Sequence, residues 1–213
     1  MNDGTTHYIR DAAEIYRQSF ETIRCEADLS RFSGDQQDIA IRLVHACGMV
    51  DIVDDLIISD DAVEAGRQAL AKARPIICDV EMVRRGIIRR LLPKDLPVLC
   101  EVAGEATAQL ARAQATTRSA AAMEVLCEEM AGGIIVIGNA PTALFHLLEM
   151  MDRGLASPSL IVGIPVGFVG AVEAKDALIS DSRGVPFIAV RGRRGGSAMA
   201  AAVVNAIAGE LRA

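Results

Sequence analysis

The sequence predicts an α/β fold, with a doubly wound, mainly parallel sheet flanked by helices and with a helical N-terminal portion. From Pro75 onward, short β-rich runs alternate with longer segments of helical pattern. These runs consist almost entirely of apolar residues, which is typical of parallel strands covered on both faces. Of the 213 residues, 51% are apolar but only 3% are aromatic, and a core of small aliphatic side chains suits helices packed closely on a sheet.

Helical patterns dominate the N-terminal part of the chain. A first helix is predicted over residues 10–26, and Ser33 and Gln36 have the spacing of a capping box that begins a second helix ending at Gly48. The first helix has one stripe of mainly apolar residues that faces away from its charges. This stripe consists of Ile15, Tyr16, Ser19, Phe20 and Ile23.

The remaining elements alternate along the chain. A third helix, capped by Asp60 or Asp61, is predicted to run to Ala73. Strands are then predicted at 75–79, 97–102, 134–138, 159–164 and 185–190. Helices are predicted at about 104–130, 141–153, 170–181 and 196–212, long enough to cross over between parallel strands. No linker or internal repeat divides the chain, so we expect a single domain over residues 1–213.

Composition and charge limit the classes of partner that the protein is expected to bind and the cellular compartment in which it is expected to occur. The net charge of −6 disfavours nucleic acids and membrane surfaces, because both attract basic proteins. The N-terminus has no apolar segment of signal-peptide type, and we expect a soluble, cytoplasmic protein. The five widely spaced cysteines are expected to be reduced core residues. No CxxC, HxH or HExxH spacing occurs, so no metal site is predicted.

Candidate binding residues follow the predicted strands, because ligands of open parallel sheets bind beyond the carboxyl ends of the strands. In GNAPTALF, Asn139 can cap a helix and Pro141 suits its first turn, which leaves backbone N–H groups for an anion. An ordinary capped turn is the alternative. Arg193, in RGRRGGS, stands among glycines and could bind a carboxylate or phosphate, or belong to a solvated loop.

A further cationic candidate lies in TTRS, where hydroxyl groups that include that of Thr117 flank Arg118. Its guanidinium could hold a carboxylate through two hydrogen bonds, or be an ordinary surface arginine. RGRRGGS lacks the Gly-Lys-Ser/Thr ending of a P-loop, and GIPVGFVG lacks the GxGxxG spacing of a dinucleotide-binding loop. A nucleotide-dependent enzyme is therefore an alternative that rests on fold analogy alone.

His45 lies in the run RLVHACGMVD, which is otherwise largely apolar. At about 100° per residue, it shares one narrow sector of its helix with Asp38 and Arg42, whereas the apolar residues occupy the other side. His45 is thus predicted on a polar face, either solvated and idle or available for chemistry. Of the other histidines, His7 lies near the terminus, and His146 is expected to pack within an apolar helical run.

Several segments together resemble the precorrin-8X methylmutase family of cobalamin biosynthesis. They are IYRQSF, RLVHACGMVD, DVEMV, TTRSAAAME, IGNAPTALF, IVGIPVGFVGAVEAK and GRRGGSAMAAAVVNA. The resemblance implies an isomerase that moves a methyl group on ring C from carbon 11 to carbon 12, converting precorrin-8X into hydrogenobyrinic acid. It also implies that no cofactor or external methyl donor is needed, and that the protein is a homodimer holding the tetrapyrrole near the subunit interface.

The resemblance also implies roles for particular residues. His45 would exchange a proton with the ring nitrogen beside the migrating methyl group, Ser19 would contact the substrate, and Arg118 would hold a peripheral carboxylate. Thr117, Asn139 and Arg193 are the further candidate substrate contacts. Two alternatives stay open: a protein that binds and shields the corrinoid product, and the same isomerisation on cobalt-precorrin-8.

Overall fold

One six-stranded sheet organises the computed structural model, which describes residues 8–154 and 157–209. Within these ranges the strands are β1 (Leu56–Ile58), β2 (Ile76–Cys78), β3 (Val98–Leu99), β4 (Ile134–Ile137), β5 (Leu160–Gly163) and β6 (Phe187–Val190). Their order is β1-β6-β5-β4-β2-β3, and every neighbouring pair is parallel except β1 and β6. The predicted α/β fold with a mainly parallel sheet is confirmed.

Nine α-helices accompany the sheet in the described part of the chain. They are α1 (Ala12–Glu26), α2 (Gly34–Cys47), α3 (Ala62–Ala71), α4 (Glu81–Gly86), α5 (Glu105–Ala113), α6 (Arg118–Val125), α7 (Pro141–Asp152), α8 (Ala171–Ser180) and α9 (Ser197–Ile207). A 3₁₀ helix, Val50–Asp55, connects α2 to β1. None of the helices in the described ranges is long and apolar enough to cross a membrane.

Alternate residues of each parallel strand enter two separate cores. Ile76, Ile134 and Val162 pack on one face with α2 and α9. Ile77, Ile135 and Ile161 pack on the other face with α6, α7 and α8. This period of two explains why the strands are apolar throughout, because both faces of the sheet are covered.

The strand order reverses direction between β2 and β4, which are neighbours in the sheet. The chain moves outward from this point to β3 on one side and to β5 and β6 on the other. Such a reversal opens a crevice at the carboxyl ends of the strands, where doubly wound proteins commonly bind ligands. A functional site is therefore expected at this carboxyl edge.

Local signals in the sequence account for several element boundaries. The capping box of Ser33 and Gln36 begins α2, and Gly48 ends it with the left-handed conformation that glycine adopts most easily. Asp61 occupies the N-cap of α3, although its side chain makes no capping hydrogen bond. Each of these three helix boundaries lies where the sequence predicts it.

Three expectations about local structure are wrong. Strand β1 is absent from the predicted elements, and the predicted helix at 104–130 is broken at Ala115, whose φ of 52° ends the α5 segment. Cys25 is exposed, so it is not a core residue, although all five cysteines carry free thiols. His7 and the end of the predicted helix at 196–212 lie outside the described residues, and the single domain over 1–213 stays a prediction.

Candidate functional site

The structure brings His45 and Ser19 together at the contact between α1 and α2. The Oγ atom of Ser19 lies 2.8 Å from Nδ1 of His45, within hydrogen-bond distance. The rings of Tyr16 and Phe20 flank the imidazole, with centroids 5.3 and 5.2 Å away. The imidazole is thus half-buried and held by a hydroxyl and two aromatic rings, all supplied by one helix.

The environment of Arg42 differs from the solvated polar face that the sequence predicts for α2. Its side chain is buried, and its guanidinium carbon lies 5.6 Å from the ring centroid of Tyr16 and 6.0 Å from that of Phe20. Asp38 and His45 on the same sector are only half-buried. Helical spacing places the three residues together correctly, but α1 covers the sector instead of solvent.

A cavity of about 380 Å³ opens at the carboxyl edge, close to the end of α2. It is lined by Met49, residues 166–168, residues 193–195 and Met199. Met49 follows His45 by four residues, and Met199 lies in the first turn of α9. The structure places Arg193 on the wall of this cavity, where its guanidinium lies 5.2 Å from the exposed ring of Phe168.

Arg194, next in the chain, also lines the cavity, and its side chain is held in place. Its guanidinium donates hydrogen bonds to the carboxylates of Asp55 and Asp51, both at 2.6 Å. These two hydrogen bonds raise the pKa of Arg194 above its usual value. Gly195 lies so close to the preceding loop that a Cβ atom would come within 2.5 Å of the Ile164 carbonyl oxygen. The cavity wall is therefore a fixed loop, and sequence reasoning missed the ion pairs because their partners are about 140 residues apart.

Thr117 and Arg118 begin α6 at the same edge of the sheet, on the opposite face from His45. The Thr117 side chain accepts a hydrogen bond from the Ala120 backbone N–H, and its Oγ1 lies 2.8 Å from Oγ1 of Thr142 in α7. Arg118 is exposed at the first position of the helix. The two hydroxyls join the starts of α6 and α7 and so set where Arg118 stands.

The predicted anion site at the start of α7 is already filled by Asp79. This buried carboxylate accepts the backbone N–H groups of Gly138 at 3.1 Å and of Asn139 and Ala140 at 2.8 Å. Burial raises the pKa of Asp79, while the three N–H groups oppose that rise. Asn139 is exposed and is not the helix cap, because Ala140 takes that position, so its predicted capping role is wrong.

Sequence reasoning gave Asp79 no role and included it as the last residue of the predicted strand 75–79. It directly follows β2 and therefore stands at the reversal of strand order. In the described residues, no group of three or more His, Cys, Asp or Glu side chains is arranged to hold a metal ion. The carboxylates described at this edge are already bonded within the protein, Asp79 to backbone N–H groups and Asp51 and Asp55 to Arg194.

The fold is that of a doubly wound α/β protein, and its candidate ligand site lies beyond the carboxyl ends of the strands. The family model described as precorrin-8X methylmutase matches residues 14–210. The matched range includes Ser19 and His45 as well as Arg193 and Arg194.

Relatives with high identity carry the same name. The precorrin-8X methylmutase of Pseudomonas aeruginosa is 56% identical over 203 residues, covering 95% of this chain and 98% of the relative. That of a Sinorhizobium species is 52% identical, covering 94% and 96%. The cobalt-precorrin-8 methylmutase of Priestia megaterium is 34% identical, covering 91% and 86%.

A solved structure agrees with these relatives. The precorrin-8X methylmutase of Thermus thermophilus superposes with a TM-score of 0.84 at 34% identity, covering 92% of this chain and 95% of that one. The chain therefore belongs to the precorrin-8X methylmutase family, whose members are isomerases of cobalamin biosynthesis.

Proposed function

We propose that this chain converts precorrin-8X into hydrogenobyrinic acid by moving the methyl group on ring C from carbon 11 to carbon 12. The observation that supports this most is the hydrogen bond between Ser19 and His45, which lies four residues before Met49 of the cavity lining. The relatives at 52–56% identity are named for precorrin-8X, and a relative at 34% is named for cobalt-precorrin-8. Precorrin-8X is therefore the substrate we favour.

His45 is the catalytic residue in this proposal. The C11–methyl bond breaks and the C12–methyl bond forms within one macrocycle, so no group leaves and no donor enters. What the protein can contribute is a proton held at the adjacent ring nitrogen, and an imidazole gains or loses a proton near neutral pH. Because Ser19 holds Nδ1, the proton shared with the substrate would be carried by Nε2.

The substrate's carboxylates would bind to local cations, because the chain as a whole has a net charge of −6. Arg193 on the cavity wall and Arg118 at the start of α6 are the cations we assign to them. Thr117 and the exposed Asn139 would contribute polar contacts at the same edge. Since Asp79 already occupies the N–H groups that precede α7, the contact of Asn139 would come from its side chain.

Incubation of the purified protein with precorrin-8X tests the proposal. We expect the absorption spectrum to change to that of hydrogenobyrinic acid, and we expect His45→Ala to abolish the change while far-UV circular dichroism stays the same. His146→Ala is the matched control, because His146 lies in α7 and its Nε2 is 2.9 Å from Glu124. Tight binding of hydrogenobyrinic acid without isomerisation would instead support the product-binding alternative.

We further propose a homodimer in the cytoplasm that binds neither nucleic acid nor membranes. Phe168 and Val169 expose 85% and 88% of their surfaces beside the cavity, which a second copy could cover. The free thiols suit a reducing compartment, and the acidic charge disfavours polyanions. Sedimentation velocity measures the dimer directly, with Phe168→Ser as the variant expected to weaken it.

A further inference from the structure

Lys175 of α8 is fully buried, and it is among the largest side chains with no exposed surface in the described residues. The other two lysines of the chain, Lys72 and Lys94, are exposed. Burying an ammonium group costs free energy unless hydrogen bonds and charges compensate for it. Its contacts therefore indicate why a lysine stands at this position.

The Lys175 ammonium holds the loop that forms the cavity wall. Its Nζ donates to the backbone carbonyl oxygen of Arg194 at 2.7 Å. The side chain of the same Arg194 bonds to Asp51 and Asp55, as described above. Arg194 is thus fixed at both ends, with its carbonyl held by α8 and its guanidinium held by the 3₁₀ helix that follows α2.

Arg193 immediately precedes Arg194 in the same loop. Its carbonyl oxygen accepts the Gly167 N–H at 3.2 Å, and the Gly196 N–H donates to Ile164 at 2.9 Å, so hydrogen bonds hold the loop on both sides. With Arg194 turned toward the carboxylates, Arg193 is left at the mouth of the cavity over Phe168.

We propose that Lys175 is a positioning residue for substrate binding, which places the Arg193 guanidinium at the cavity by fixing the Arg194 carbonyl. This inference rests on the proposed function, because it takes the substrate to be a polycarboxylate held by Arg193. Lys175 itself, being fully buried, touches no substrate.

The pH dependence of KM tests the role of Lys175 in the wild-type protein. Burial lowers the pKa of Lys175 to about 8, and the charges that oppose this shift are Asp176 on its own helix and Asp55 on the 3₁₀ helix. The guanidinium of Arg194, whose carbonyl oxygen Lys175 binds, is paired with Asp51 and Asp55. As the pH rises through 8, the ammonium loses its charge and its bond to the carbonyl weakens, so the KM for substrate should rise on the alkaline side.

The test compares Lys175→Met with the wild type and with the exposed control Lys94→Met. KM and kcat for precorrin-8X are measured between pH 6.5 and 9.5, along with the Kd for hydrogenobyrinic acid. We expect Lys175→Met to raise KM and Kd about tenfold, the size expected when a charge-assisted hydrogen bond is lost, with kcat within twofold of the wild type. The alkaline rise in KM should disappear in Lys175→Met and persist in Lys94→Met.

Arg194→Ala adds a second readout. The Arg194 carbonyl and guanidinium contacts hold the same loop in one position. Combining Lys175→Met with Arg194→Ala should therefore raise Kd no more than the stronger of the two single variants does. Wild-type KM and Kd in Lys175→Met would overturn the proposal, as would additive effects in the double variant. If Lys175→Met does not fold, a wild-type KM and Kd that stay constant from pH 7 to 9 would overturn it. Absence of turnover in the wild type would instead refute the proposed function, and the Kd measurement would still decide the role of Lys175.

Discussion

Replacing Asp79 by Asn should destabilise the protein, although the two side chains have nearly the same shape. Oδ1 of Asp79 accepts one backbone N–H at 3.1 Å, and Oδ2 accepts two at 2.8 Å. An amide has only one oxygen, so it can accept at most the two N–H groups that Oδ2 now binds. The amide nitrogen would then face the Gly138 N–H, and two donors would meet in a buried site.

The loss of stability in Asp79→Asn is estimated from the three hydrogen bonds that the carboxylate accepts. A hydrogen bond to a charged group contributes about 1.5–3 kcal/mol, and an unsatisfied buried donor costs about 1–3 kcal/mol. Asp79→Asn loses one such bond outright and weakens two, so we expect the free energy of unfolding to fall by about 2–4 kcal/mol. For a protein of this size, that lowers Tm by roughly 5–15 °C. Asp79→Ala leaves all three donors unpaired and should be worse.

Urea titration followed by circular dichroism measures the free energy of unfolding, with Asp95→Asn as the control because Asp95 is exposed. An Asp79→Asn protein within about 0.5 kcal/mol of the wild type, the range of ordinary surface substitutions, would refute the reasoning. Such a result would mean that the N–H groups before α7 find other partners and that the carboxylate is not needed to hold them.

Three further predictions concern hydroxyls and the buried lysine. Ser19→Ala should lower kcat about tenfold by releasing Nδ1 of His45, the loss expected for one hydrogen bond. Thr117→Val should reduce the free energy of unfolding by about 1–2 kcal/mol, because it removes the α6 cap and the contact with Thr142. Between pH 8 and about 10, wild-type stability should rise relative to Lys175→Met, because the unfolded chain holds the lysine proton more tightly than the native protein.

Each of these three predictions has a measurement that can contradict it. Unchanged kcat in Ser19→Ala, with Ser19→Thr as the hydroxyl-bearing control, would remove Ser19 from the orientation of the imidazole. Thr117→Ser retains the hydroxyl and should match the wild type in urea titrations, so equal loss in Ser and Val variants would contradict the capping argument. A parallel pH dependence of unfolding in wild type and Lys175→Met would show that the lysine pKa is not lowered.

The parallel strands and the main helix boundaries could be predicted because their causes are local. Continuous apolar runs such as Ile134–Ile137 identify strands covered on both faces. The capping box at Ser33 and the left-handed Gly48 depend on a few neighbouring residues. The shared sector of Arg42 and His45 follows from helical geometry alone.

The features that were missed depend on residues far apart in the chain. Whether α1 or water covers the sector of Arg42 is decided by packing between helices, which periodicity does not encode. The carboxylate of Asp79 meets N–H groups about 60 residues away, so the same motif can indicate an open anion site or a filled one. Lys175 stands in a helix whose other charged residues are exposed, and its burial becomes visible only once the Arg194 loop is placed over it.

The short strand β1 was the one strand not predicted, and its pairing with β6 connects the segment that follows His45 to the segment that precedes Arg193. Leu56, Ile57 and Ile58 pair with Val190, Ala189 and Ile188, and the Arg191 N–H donates to the Asp55 carbonyl oxygen at 2.9 Å. The segment leaving the histidine helix and the segment entering the arginine loop are therefore two sides of one antiparallel ladder. We expect opening of this edge to disturb the proposed acid–base group and the proposed carboxylate-binding arginine together, because both adjoin the same ladder.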